Sequence, residues 1–393
     1  MTRSLSAECR IVFRTADPLC SAGEIDALVR EVKDWDRVLA IAEREVAVAH
    51  LARALEVSRA GVPSEVFDVF RRRAQAVELR MQYLSRRVEQ TCAALSAQRI
   101  PFMLLKGAAV GALVDPTFRW RPMNDVDILV KPEDTGLASK AIEAAGWSPT
   151  PDPVLRELLA DAHHHLPPFV DPNMPGIRVE LHVSHLPAGH PFTFDTAMLW
   201  EAAQRARPPF EGALLPSVEH LVLHAAVHFA WQHPMSFGAW RTFRVISAAT
   251  ELPEFDWERL TMSAAGARAG TAVYWTVRLA GRLSGLAIPT DTLSRLAPPT
   301  PEWVLAALER HFIANVAVGE TPASPSVRLD HALWLAAIRP RWSGHRTSRD
   351  WDHENTWARA FGYAATESGW SRFVRHLTGY RRWTAFFTRT LAG

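Results

Sequence analysis

The chain has 393 residues, 48% of them hydrophobic and 22% charged, with a formal net charge of +2 at pH 7; such a composition builds a substantial core and excludes overall disorder. The near-zero charge argues against a dedicated nucleic-acid binder or a strongly acidic partner, and the length exceeds one average domain. Cys9, Cys20 and Cys92 are odd in number and widely spaced, so they offer neither a disulfide framework nor a metal-type Cys pair, which fits a reducing cytoplasm.

The first twenty residues carry acidic and polar breaks where a signal peptide needs a continuous apolar stretch, and no run of about 18 apolar residues occurs anywhere. Neither export nor a membrane span is expected. Residues 21–98 read as helices, because apolar residues recur at helical spacing over 24–57 and again over 65–95. Gly61, Val62 and Pro63 break the two runs, and Ser64 is the expected N-cap of the second. The pattern then changes to short strands and helices. An apolar run over 100–105 ends at Lys106 and Gly107, residues 108–113 suit a helix, and Asp125–Val130 is a strand of Val, Ile and Leu between two acids. Pro132, Glu133 and Asp134 open a helix to about Ala145, since proline suits the first turn and acids suit the positive end of the helix dipole; Gly146 stops it. After a loop rich in Pro and His, residues 177–185 alternate as a further strand.

From about Ser217 the chain is helical again: over 217–233, then 240–252, then through Leu286. Pro289, Pro298, Pro299 and Pro301 mark a linker or helix boundary near 290–300. From Arg339 onward ten arginines face only Asp350, Asp352, Glu354 and Glu367, among Trp342, Trp351, Trp357, Trp370 and Trp383. Such a tail either stacks on bases and phosphates or docks as an amphipathic helix with its arginines in solvent. The order of elements implies an α+β fold in four parts: an N-terminal helical region (1–98), a core with a small mixed sheet (99–215), a helical region closing the cleft (216–290) and a C-terminal helical extension rich in Arg and Trp (291–393).

Asp125 and Asp127 alternate on one strand and project side by side. Two carboxylates so placed repel unless a cation lies between them, and hard oxygen ligands suit Mg²⁺. A lone D-x-D triplet is common; here it follows a turn whose Gly107 lets backbone amides approach a phosphate and whose Lys106 can add a point charge to a triphosphate. A third acid should come from a neighbouring strand, and Glu180 is the candidate: Val179 and Leu181 take the opposite face, and a core strand rarely spends a position on an unpaired carboxylate. His182 shares the face of Glu180. His220, His224 and His228 recur every fourth residue, a spacing open both to a transition-metal site and to buried, hydrogen-bonded histidines. Of His163, His164 and His165 in the loop before Glu180, His165 is expected to face the cleft.

The stretches LLKG, RPMNDVDILV and VELH resemble the signatures of the uncharacterised nucleotidyltransferase family, within the DNA polymerase β-like nucleotidyltransferase superfamily. The helices before them, the HHHLPP loop, the PSVEHL helix leading to His228 and the DWERL segment at 256–260 are similar in type and order. The resemblance implies Asp125, Asp127 and Glu180 as catalytic and metal-ligating acids, Lys106 and Gly107 at the nucleotide-binding turn, and Arg121 as a phosphate or structural contact. On the residues alone, Arg121 can equally pair with the acids. Lys106 and Ala108 depart from the superfamily's Gly-Ser turn, and Arg244 stands where an aspartate is usual, reversing a charge near the expected substrate site. His165, His182, His228 and Arg244 are the expected substrate contacts.

The function expected is Mg²⁺- or Mn²⁺-dependent transfer of a nucleoside monophosphate from an NTP such as ATP to a small-molecule or peptide acceptor, and the resemblance points to natural-product biosynthesis as its setting. A nucleotide-binding or peptide-binding module without catalysis, a sugar transferase using a nucleotide sugar, and nucleic-acid modification through the tail remain open alternatives. Nucleotide and acceptor are the expected partners, with no membrane; the near-zero charge disfavours nucleic acid.

Overall fold

The computed structural model describes residues 5–58, 60–114, 122–151, 164–187, 190–233, 235 and 238–317. The chain opens with α1 (Ala7–Arg14), a helix that the broken apolar pattern at the N-terminus does not signal; the Ser6 side chain caps it by accepting from the Cys9 amide. The helical run over 24–57 divides into α2 (Ala22–Glu31), α3 (Trp35–Arg44) and α4 (Val48–Val57). Capping explains the division: Ser21 and Glu24 form a capping box on α2, and Asp34 accepts from the Arg37 amide to start α3. Ser64 is the first residue of α5 (Ser64–Ala97) and not its N-cap, which is Pro63 in extended backbone with no side-chain cap. The proline ring fixes the approach of the chain, so helical backbone begins one residue earlier than a Ser64 cap would allow.

The sheet region follows. β1 (Phe102–Leu104) leads into α6 (Lys106–Val114), then β2 (Asp125–Val130), a 3₁₀ turn at Pro132–Asp134, and α7 (Thr135–Ala144). Gly146 takes a left-handed φ of 84° and ends that helix as expected. Next come β3 (Ser148–Pro149), β4 (Phe169–Val170) and β5 (Arg178–His182). β5 stops short of the predicted His185 because the Val183 and Ser184 amides both turn to the His164 carbonyl, at 2.9 and 3.2 Å. α8 (Thr196–Glu201), β6 (Gln204–Arg205) and β7 (Leu214–Leu215) complete a mixed sheet of order β3-β4-β5-β2-β1-β7-β6.

The remaining described chain is helical: α9 (Val218–Val227), a single π turn over His228–Gln232, α10 (Ala239–Thr250), α11 (Trp257–Gly266), α12 (Gly270–Ser284), α13 (Thr290–Leu296) and α14 (Glu302–Ala317). The expected linker over 290–300 thus contains α13, with its break at the prolines that follow. The Arg/Trp tail beyond Ala317 lies outside the described residues. Among the described residues no helix is long and apolar enough to cross a membrane.

Strand alternation sorts the sheet into two faces. Phe102 and Leu104, Val126, Ile128 and Val130, and Val179 and Leu181 enter one core with α5, α6 and α7. Met103, Leu105 and Leu129 enter a second core that unites α1–α4 with α9–α12. Asp125 and Asp127 share the face of Leu129, so the carboxylates are turned toward the second helical layer. That layer is knit by Trp240, whose indole N–H donates to the Thr15 hydroxyl at 3.1 Å and whose amide donates to the buried Glu45 carboxylate at 3.1 Å. The PSVEHL and DWERL segments also interlock: the Glu219 carboxylate accepts from the Asp256 amide at 3.0 Å and from Arg259 at 2.8 Å.

A buried acid outside the acidic face fixes α5 to the sheet. Asp171 accepts from the Tyr83 hydroxyl at 2.9 Å, from Arg87 at 2.7 Å, and from the amides of Asn173 and Met174 at 2.8 and 3.0 Å. Burial pushes its carboxyl up, but the Tyr83 hydroxyl, the two amides and the Arg87 charge together hold it below the ordinary aspartate value. Asp171→Ala should lower unfolding free energy by about 3 kcal/mol, because Arg87 loses its carboxylate partner and the Tyr83 hydroxyl and two amides lose their acceptor; urea denaturation at neutral pH measures this. The depressed folded-state value means that the contribution is complete above the unfolded aspartate pKa and is lost as pH falls through the folded one. The stability gap between wild type and Asp171→Asn should therefore close on acidification.

Candidate active site

Pairing register brings the acids together. β1 runs antiparallel to β2 with Leu104 opposite Ile128, and β2 runs parallel to β5 with Asp125 opposite Arg178, Asp127 opposite Glu180 and Leu129 opposite His182. The Leu105 amide then donates to the Asp127 carbonyl at 2.9 Å, which ties the end of β1 to the middle of β2. At the next residue the chain turns: Lys106 adopts φ 43° and begins α6. The left-handed conformation falls on the lysine, and not on Gly107 where the sequence suggested special backbone freedom. For a residue with a side chain that conformation costs roughly 1 kcal/mol. It also sends the lysine stem back over β2, so that Nζ lies 2.7 Å from Asp127 Oδ1.

Asp127 is 2% exposed, and the same Oδ1 lies 2.8 Å from His182 Nε2. The fully buried His182 is oriented from behind, its Nδ1 lying 3.3 Å from the Ser184 carbonyl, while its Nε2 is also 3.7 Å from Glu180 Oε2. Asp125 and Glu180 are only half-buried. The charges divide accordingly. Burial would raise Asp127, but the Lys106 ammonium and His182 outweigh it and hold the carboxyl far below its ordinary value. Glu180 is lowered against its burial chiefly by His182, and His182 and Lys106 are raised against theirs by the acids. Asp125 moves the other way: burial and the like charges of Asp127 and Glu180 raise it, with Lys106 and Arg178 offsetting them in part.

Histidines surround the acids. His165 forms an isolated bridge with His182, their rings are 5.1 Å apart, and its Nδ1 lies 2.9 Å from the Leu166 carbonyl. Behind His182, the His185 Nδ1 lies 3.0 Å from the Thr196 hydroxyl, and its ring is 5.3 Å from that of His224. The rings of His224 and His228 are 6.3 Å apart, and those of His228 and His233 4.6 Å. Burial pushes His185 down to about 2, His224 to about 3 and His233 to about 4, and depresses His228 well below its ordinary value with help from Lys106. These imidazoles are neutral at pH 7. His233 was missed from the sequence, since the π turn over His228–Gln232 breaks the helical spacing by which it could be placed beside His228; such turns are frequent at functional sites.

Among the described residues, one set of three or more metal-competent side chains brings its donor atoms within 4.8 Å of one another: Asp127, Glu180 and His182. The fourth-residue series His220, His224 and His228 does not converge in this way; the His220 ring packs 5.9 Å from Phe194 instead. Arg244 lies half-buried on α10. Arg121 and His163 fall outside the described residues. Asp127 and Glu180 supply hard oxygen donors and His182 an imidazole, a donor set that fits a divalent cation; Asp125 shares their face but is not part of this convergent set.

A family model described as an uncharacterised nucleotidyltransferase matches residues 31–285. A solution structure of the antibiotic-resistance factor ANT(2'')-Ia is similar over 47% of this chain and 90% of that one, with 12% sequence identity and a TM-score of 0.34. No curated protein matches the chain.

The unequal states of the two aspartates give a stability test. Asp127→Ala removes the acceptor shared by Lys106 and His182 and should cost about 3 kcal/mol in thermal or chemical unfolding. Asp125→Asn removes a destabilising like charge and should leave the metal-free protein as stable as wild type or more so, in the same measurement.

Proposed function

The chain belongs to the uncharacterised nucleotidyltransferase family, and on that premise we propose that it transfers a nucleoside monophosphate from an NTP to a hydroxyl or phosphate of a small molecule or peptide. The observation that carries the reading is the register of β2 against β5, which sets Asp127 opposite Glu180 with Asp125 and His182 on the same face. In this reading Asp125, Asp127 and Glu180 hold Mg²⁺ or Mn²⁺, which when bound neutralises triphosphate charge and stabilises the leaving pyrophosphate. Glu180 is drawn toward the carboxylate form by His182 and is not fully buried, so it can take the proton from an acceptor hydroxyl. The acceptor oxygen forms its bond to the α-phosphorus as the bond from that phosphorus to the bridging oxygen breaks, and pyrophosphate leaves.

Lys106 and Gly107 form the turn that meets the triphosphate, and Arg121 is proposed as a further phosphate contact. His165, His182, His228 and Arg244 are proposed to line the acceptor side. The core over 99–215 then supplies the chemistry, residues 216–290 close the cleft and residues 1–98 buttress those helices; the extension expected over 291–393 lies outside the described residues beyond Ala317. ATP use, a peptide or other natural-product acceptor and a cytoplasmic setting are part of the same proposal. A second reading has one observation in its favour: Lys106 already neutralises Asp127 without a metal, as a module that binds a nucleotide without turning it over would allow.

Incubation with Mg²⁺ or Mn²⁺, each NTP and a panel of hydroxyl, phosphate and peptide acceptors should give pyrophosphate and a nucleotidyl mass gain on one acceptor class. The double variant Asp125→Ala, Asp127→Ala should lower the rate by roughly a thousandfold or more. Glu180→Gln should depress kcat more than KM, as expected for a group acting on the reacting oxygen. Equal background from wild type and the double variant, with calorimetry still detecting nucleotide, would favour the binding module.

A further inference from the structure

Asp127 Oδ1 has two partners that differ in freedom to move. His182 is wholly buried and held from behind by the Ser184 carbonyl. Lys106 reaches the same oxygen on a flexible four-carbon stem whose side chain is 21% exposed, while the backbone beneath it is pinned to β2 through the Leu105 amide. The ammonium therefore can swing away without unmaking the turn, and Asp127 keeps one partner when it does. A divalent cation among Asp125, Asp127 and Glu180 would sit beside an ammonium in hydrogen-bond contact with one of its own ligands, and the two positive charges repel at close range in a partly buried site.

We propose that Lys106 is a tethered counter-cation that keeps the metal site closed in the absence of nucleotide and exchanges Asp127 for the triphosphate when nucleotide arrives. The proposal rests on the nucleotidyltransferase reading and adds to it an order of events. A divalent ion alone must compete with the ammonium for Asp127, whereas a metal–triphosphate complex brings both the ion and a new anionic partner for Lys106. The lysine at this turn is then a device that couples metal entry to nucleotide entry, and its departure from a small turn residue has a function.

The test uses the full chain and Mn²⁺ alone, with free ion counted by electron paramagnetic resonance and thermal unfolding followed by circular dichroism. Lys106→Met should bind Mn²⁺ roughly tenfold or more tightly than wild type, and Mn²⁺ should raise its melting temperature by more. The same variant should bind Mn²⁺–ATP roughly tenfold or more weakly, because the displaced ammonium no longer meets the phosphates. Lys106→Arg keeps a cation at the turn and should retain the weak wild-type binding of Mn²⁺ alone. Should Lys106→Met be unfolded without metal, recovery of the native spectrum on adding Mn²⁺ supports the proposal and failure to recover overturns it. A folded Lys106→Met with unchanged or weaker Mn²⁺ binding, or with undiminished Mn²⁺–ATP binding, also overturns it. Turnover assays separate this from the functional reading: loss of pyrophosphate release alone leaves the counter-cation intact, and active enzyme with unchanged Mn²⁺ affinity in the variant removes the counter-cation alone.

Discussion

The carboxylate of Asp127 is the constraint around which the rest is arranged. A buried anion is tolerated only when paired and hydrogen-bonded, and here the two partners come from opposite sides in the chain. Lys106 arrives from the turn after β1, at 2.7 Å, and His182 from the end of β5, at 2.8 Å. Meeting both demands fixes the antiparallel register of β1, the parallel register of β5 and the left-handed backbone of Lys106 together. A slip of one residue in β2 would turn Asp127 into the apolar core formed with α5 and α7, and a slip in β5 would do the same to Glu180 and His182. The acidic site and the centre of the sheet are thus one structure, stabilised by the same pairings.

The surroundings divide into a charged centre and a neutral wall. Burial and like charges push Asp125 toward neutrality, whereas Lys106, Asp127, Glu180 and His182 are each drawn toward their charge by an opposite partner close by. His185, His224, His228 and His233 lose theirs because burial is not repaid by an acid in contact. The wall is buried, with His185 and His224 each 1% exposed. The His182 ring nitrogen, by contrast, meets the carboxylates, at 2.8 Å from Asp127 and 3.7 Å from Glu180.

Much of this was legible in the residues because the governing signals are local. The alternation of Asp125 to Val130 gave β2 to the residue, and Val179 and Leu181 gave the facing of Glu180. The α+β order, the K-G turn and the family signatures likewise lie within short stretches. What was not legible depends on partners distant in sequence. β3, β4, β6 and β7 are two residues each, too short for any alternation, and exist because neighbouring strands offer them ladders. α1 escaped notice because its apolar face is defined by α3 and α12, and the division of 24–57 into three helices depends on caps at Ser21 and Asp34. The contact of Lys106 with Asp127 required the positive φ at Lys106, which no pattern announces for a lysine. His233 required the π turn.

The most direct measurement is a crystal structure with Mn²⁺ and a non-hydrolysable NTP analogue, the ion located by its anomalous scattering. The account predicts Mn²⁺ between Asp125, Asp127 and Glu180, with the analogue's phosphates at the Lys106–Gly107 turn and the Lys106 ammonium moved from Asp127 to a phosphate oxygen. Mn²⁺ and nucleotide bound away from these acids would contradict the account.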